Sequence, residues 1–178
     1  MLFPTLKDQN IIFLDFDGVL NHTGCKSEDM FLEESIRILN EIHDEFDTKI
    51  VLSTSWREAY VFTDLVKLLH DKGIHAPVID KTPSYVGPIT NKSYKITDIT
   101  ETEFNRMTDP MAGRNREIIT YVRIHDINRY VILDDCEMTN PELIPHQVLT
   151  TYFDPVSGGL REKHKALIQN ILRKEVTL

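Results

Sequence analysis

Three short strings gather oxygen-bearing side chains that can do chemistry: Asp15-Phe16-Asp17-Gly18-Val19-Leu20, Ser53-Thr54-Ser55-Trp56-Arg57 and Asp134-Asp135. A fourth, Gly113-Arg114-Asn115-Arg116-Glu117-Ile118, supplies cations. Residues two apart on an extended segment point the same way, so Asp15 and Asp17 are expected to converge. Joined by Asp134 and Asp135, they would repel one another strongly unless something positive neutralised them. The seven histidines and two cysteines show no metal-ligand spacing. An all-oxygen set of this kind suits a hard cation, Mg2+. Gly18 can take the backbone conformation of a sharp turn after the acids. Taken singly, an Asp-x-Asp, a strand-end threonine or an Asp-Asp pair is ordinary. Their order along the chain carries the signal.

The elements that must position these groups are legible in the apolar pattern. Runs at 11–16, 49–53, 76–79, 129–133 and 147–151 read as strands. The first, second and fourth are nearly continuous Ile, Val, Leu or Phe, as in strands covered on both faces. Helical stripes lie between them, over 31–46, 56–71, 115–125 and 161–172. Gly73 is a C-terminal stop for the second. Strands alternating with helices predict βαβ units, a three-layer α/β sandwich and a mostly parallel five-stranded sheet. Open sheets of this kind bind ligands at the C-terminal ends of their strands. The carboxylates and hydroxyls fall at those ends.

Residues 83–113 break the pattern. They collect Pro, Gly, Thr, Ser and Asn, and read either as a surface excursion or as a small lid, with short strands at 85–86 and 94–99 as candidates. The length of 178 residues fits one domain over 1–178, with 41% hydrophobic and 27% charged residues excluding disorder, collagen and a disulfide scaffold. No apolar run approaches the ~20 residues of a membrane span. The N-terminal ten residues carry no secretory signal pattern. Cys25 and Cys136 read as reduced thiols of a cytoplasmic protein. A net charge of −8 discourages indiscriminate binding to nucleic acid or anionic lipid, while leaving room for a metal-bridged phosphate ligand.

DFDGVL, LSTSWR, the basic GRNREI and VILDD resemble the four ordered motifs of the haloacid dehalogenase (HAD) superfamily. Thr-Pro at 82–83, R-x-x-E-I at 114–118, YVILDD at 130–135 and Asp-Pro…Gly-Leu at 154–160 resemble one branch, the HAD domains of Swiss Army Knife RNA-repair proteins. The resemblance implies a phosphatase. Asp15 would be the nucleophile that forms an aspartyl-phosphate. Asp17 would be the general acid and then the base. Mg2+ would be held by the Asp15 side chain, the Asp17 main-chain carbonyl and Asp134, with Asp135 fixing metal-bound water. Thr54 would bond a phosphoryl oxygen, or Ser53 or Ser55 in its place if the strand ended one residue earlier or later. Arg114, just before the third expected helix, would stand where the superfamily often has Lys, with Arg116 an exposed helix residue. Ser55 and Arg57 are the substrate-binding candidates, although Arg57 could instead pair with an acid such as Glu58 or Asp64. Trp56 at a helix start reads as core.

The interval between the first two motifs leaves no room for a large cap, and the second at most for the small lid. Superfamily members with little or no cap tend to act on large substrates. A phosphorylated substrate at a nucleic-acid end, or a nucleotide, is therefore expected. The alternatives are a phosphatase of small metabolites and a phosphoacceptor signalling domain of the response-regulator kind, though the order of acids disfavours the latter.

Overall fold

Side chains on both faces of the central strands are apolar, and helices cover both. The computed structural model describes residues 5–25, 30–84 and 110–174. Its strands are β1 (Asn10–Leu14), β2 (Thr48–Leu52), β3 (Val78–Lys81), β4 (Arg129–Asp134) and β5 (Gln147–Leu149). They form one sheet in the order β3-β2-β1-β4-β5, with each neighbouring pair parallel. The α-helices among the described residues are α1 (Glu33–Phe46), α2 (Phe62–Asp71), α3 (Pro110–Ile124) and α4 (Glu162–Arg173).

Strand periodicity sorts the core into two halves. Ile12, Leu14, Ile50, Leu52, Val131 and Leu133 pack with Ile38, Leu39 and Ile42 of α1, Leu65 and Leu69 of α2, and Ile168 and Leu172 of α4. The alternate residues Ile11, Phe13, Val51, Tyr130 and Ile132 pack with Ile118, Ile119 and Tyr121 of α3. Residues 11–14 are wholly inaccessible. Each such side chain contributes roughly 1.5–3 kcal/mol through burial. The result is the expected three-layer α/β architecture of the HAD-like Rossmannoid type.

Several boundaries move. The second helix, expected over 56–71, is divided. Ser55–Glu58 form a 3-10 turn, and α2 begins only at Phe62. Thr54 causes the break by accepting from Trp56 N at 3.3 Å, which caps a new short element. The third helix starts at Pro110 and not near 115, since proline's missing N–H is no loss at a first helical position. Arg114 therefore lies inside α3, not ahead of it. Gly73, at φ 89°, does end α2, with its N–H bonded to His70 O at 2.9 Å. The Gly158-Gly159 pair is a turn, with Gly159 at φ 83°. The candidate strands 85–86 and 94–99, and most of the segment 83–113, lie outside the described residues. No helix among those described is long and apolar enough to cross a membrane.

Phe13 ties the sheet to α3, meeting the edges of Tyr121 and Tyr130 with ring centroids 5.8 and 5.7 Å apart. Phe13→Ala is expected to destabilise the fold by about 3–5 kcal/mol. Denaturant unfolding would measure this, and a loss near zero would contradict the packing described.

Candidate active site

Register brings the motif residues to one level. Leu14 of β1 pairs with Leu52 of β2 and with Leu133 of β4. The next residues are Asp15, Ser53 and Asp134. Asp15 N donates to Leu133 O, Ser53 N to Leu14 O and Thr150 N to Asp134 O, each at 3.0 Å. The strand order runs outward in opposite directions from β1 and β4. The crevice at such a switch point is where open α/β sheets take ligands, and Asp15 and Asp134 flank it.

Arg114 joins these two acids. Its Nη1 lies 2.9 Å from Asp15 Oδ2 and 2.5 Å from Asp134 Oδ2. The Asp15 side chain is 6% exposed and that of Asp134 is fully buried. Asp15 Oδ1 accepts from Phe16 N at 2.8 Å, and Asp134 Oδ1 from Cys136 N at 2.9 Å. Burial pushes the Asp134 carboxyl up to about 7, against the pull of Arg114 and with help from the Asp15 charge. Burial, followed by Asp15, also raises Asp135. On Arg114, burial opposes the charge, but the two carboxylates outweigh it and shift the guanidinium upward. One fixed cation thus faces three crowded acids.

Gly18 explains how Asp135 joins them. Its φ is 77°, and a Cβ there would lie 2.7 Å from Asp135 Oδ2 and closer still to that side chain's carbon atoms. Only glycine permits both the turn and this approach. The turn also corrects the expectation that the chain stays extended through Asp17. It bends at once after Asp15, with Leu20 N bonded to Phe16 O at 2.8 Å. Asp17 is therefore oriented by side-chain donors and not by strand pleat. Trp56 Nε1 donates to its Oδ2 at 2.8 Å and Asn21 Nδ2 to its Oδ1 at 2.9 Å.

Thr54 is fully buried at the end of β2, and Ser55 is exposed on the 3-10 turn. Ser53 Oγ is buried with no hydrogen-bond partner among the described residues. Arg57 is turned inward. Its Nη1 donates to Ser53 O at 2.8 Å and Thr54 O at 2.5 Å, and its Nη2 pairs with Glu117 of α3. The anticipated acid Glu58 is also near, 3.5 Å from Nε. Both the Arg57 and Glu117 side chains are 5% exposed. Arg57 thus shapes the hydroxyl loop from beneath and ties it to the helix that carries Arg114. Arg116 lies exposed on α3.

Four contributors escaped sequence reading: Asn21, Asn115, Glu117 and the Trp56 N–H. Trp56 does pack against the core, as expected, while its polar edge serves Asp17. Asn115 Oδ1 accepts from Thr139 N at 2.9 Å and Asn140 N at 2.8 Å, holding the loop after β4. The R-x-x-E spacing of 114–117 was a usable signal, because acids and bases three apart on a helix emerge close together. His22, in the loop after the first motif, is only 8% exposed, and its Nδ1 accepts from Gly24 N at 2.9 Å.

The donor chemistry fits a divalent cation. Asp134, Asp135 and Cys136 each offer an atom within 4.8 Å of the others. Burial, followed by the Asp135 charge, pushes the Cys136 thiol up to about 12, and its soft sulfur is ill-matched to a hard cation. The useful donors are then carboxylate oxygens, with Asp15 drawn in through Arg114. Such a set is hard and negatively charged.

A parallel sheet with Asp-x-Asp-Gly, hydroxyl and Asp-Asp groups at the ends of three strands, and a cation reaching them from α3, defines an α/β domain of the HAD class. Residues 11–164 match the family described as the HAD domain in Swiss Army Knife RNA repair proteins, and the chain belongs to that family. No curated protein and no solved structure matches it. Membership points to a HAD-type phosphatase acting on a phosphorylated substrate.

Two substitutions probe the scaffold of the site. Glu117→Ala would strip Arg57 of its buried carboxylate and leave it only the outlying Glu58, and a loss of about 3–5 kcal/mol is expected in denaturant unfolding. Gly18→Ala is expected to displace Asp135 and reduce any activity of the site, measurable beside a thermal melt. Wild-type behaviour in both assays would contradict the close approach described.

Proposed function

We propose that this chain is a Mg2+-dependent phosphomonoesterase that works through an aspartyl-phosphate on Asp15, with nucleic-acid ends or nucleotides as substrates. The observation that carries the reading is the Arg114 guanidinium shared by Asp15 and Asp134 at the switch point of the sheet. The strand order β3-β2-β1-β4-β5 also differs from the 2-1-3-4-5 order of flavodoxin-like sheets, which speaks against a phosphoacceptor domain of that architecture.

In this reading, Asp15 attacks phosphorus in line while Arg114 holds the carboxylate and balances the incoming phosphoryl charge. Thr54 donates its hydroxyl proton to a phosphoryl oxygen, its oxygen already accepting from Trp56 N. Asp17 gives a proton to the leaving oxygen and later takes one from the attacking water. Asp15, the Asp17 carbonyl and Asp134 would hold Mg2+, with Asp135 beside them. That ion would screen the repulsion between the anionic nucleophile and the anionic ester. Arg57 acts through the Ser53 and Thr54 carbonyls it grips, and Ser55 is the exposed hydroxyl available to the substrate body. The RNA-repair setting of the family favours a nucleic-acid end. The net charge of −8 favours a short end or a nucleotide over a long polynucleotide.

Phosphate release should be assayed with p-nitrophenyl phosphate, nucleotides, sugar phosphates and 3′- or 5′-phosphorylated RNA and DNA. Release is expected with Mg2+, to be lost on chelation and to fall to background in Asp15→Asn. Undiminished turnover in Asp15→Asn would remove the nucleophile. Arg114→Ala is expected to lower kcat/KM by about 10²–10³-fold, while Arg116→Ala stays close to wild type. The reverse ranking would shift the third motif by two residues.

A further inference from the structure

The Asp17 carboxylate is gripped at both oxygens by donors that cannot themselves take up its proton. Asn21 is 9% exposed, and its Oδ1 accepts from Gly18 N at 3.1 Å while its Nδ2 holds Asp17 Oδ1. Its side chain therefore closes the Asp17–Asn21 turn. The Trp56 ring is wedged against Phe16, Phe31 and Tyr60, with centroids 5.5, 6.4 and 5.5 Å away. Its backbone N–H meanwhile bonds Thr54 Oγ1. One residue thus bonds the hydroxyl through its backbone and the acid through its side chain.

A partly buried indole favours a partner for its N–H, and any carboxylate nearby would meet that need. The second donor, on the other oxygen of the same carboxylate, goes beyond it. A carboxylate in a turn has two side-chain torsions to settle, and a proton donor must sit within hydrogen-bond reach of the leaving oxygen. An indole on a packed ring is a rigid, donor-only group. Two N–H bonds to different oxygens fix the carboxylate plane and leave a lone pair on each oxygen for proton transfer.

We infer that Trp56, together with Asn21, is a positioning residue for proton transfer by Asp17. This role rests on the phosphatase reading. As the Asp15 Oδ–P bond forms and the P–O bond to the leaving group breaks, the proton on Asp17 passes to the leaving oxygen. As water attacks and the Asp15–P bond breaks, one water proton returns to Asp17 and the other stays on the phosphate.

The test is the dependence of the defect on the leaving group. Trp56→Phe keeps an aromatic ring and deletes the N–H, and Asn21→Ala deletes the other donor. Each is compared with wild type by kcat/KM on p-nitrophenyl phosphate, phenyl phosphate and an alkyl phosphate. A nitrophenolate leaves without help, whereas an alkoxide requires protonation. The deficit is expected to be small for p-nitrophenyl phosphate and to reach about tenfold or more for the alkyl ester. A deficit uniform across the series, or none, overturns the role and leaves Trp56 as packing. If Trp56→Phe does not fold, the same pattern in Asn21→Ala decides. Wild-type protein that hydrolyses none of the series removes the phosphatase reading itself, which is a separate failure.

Discussion

The site depends on one cation held between two buried carboxylates. Asp15 and Asp134 end neighbouring strands whose register leaves them no distance to separate. Taking both out of water is costly, and their mutual repulsion adds to that. Arg114 makes the arrangement tolerable by reaching both from α3. A guanidinium suits the task because it cannot lose its proton and presents several N–H groups in a fixed plane. Removing the charge would leave two crowded carboxylates out of water without a cation, so the acids and the helix that carries the arginine form a unit.

The rest of the site is a set of buried polar links that fix loops to that unit. Glu117, one turn beyond Arg114, pairs with Arg57, and Arg57 holds the carbonyls beneath Thr54. Asn115, beside Arg114, holds the loop that follows Asp134 and Asp135. One helix thus sets the geometry at the ends of β1, β2 and β4. Phosphoryl transfer depends chiefly on positioning and electrostatics, and a framework of this kind supplies both.

Much of the fold was legible because strands buried on both faces cannot hide. Uninterrupted apolar runs at 11–14, 50–52 and 130–133 have few other uses in a chain of this composition. The motif order was legible for a related reason, since a parallel sheet places each strand's C-terminal residue at the same edge. Element ends were less legible. The split of the second helix turned on a single hydroxyl, that of Thr54, capping a neighbouring N–H. The early start of α3 turned on Pro110, within a segment whose composition reads as loop.

The amino-acid sequence alone determined the alternation of strands and helices, the two-sided core and the strand ends at which Asp15, the Ser53-Thr54 pair and Asp134 emerge, because periodicity and strand polarity are local properties. Tertiary structure decided which way side chains turned once the strands ended. Arg57 went inward to Glu117, sixty residues away. Asp17 came under the Trp56 N–H across thirty-nine. Those choices follow from competition among charged and polar groups for a few buried partners, and that competition exists only when the chain has closed around them.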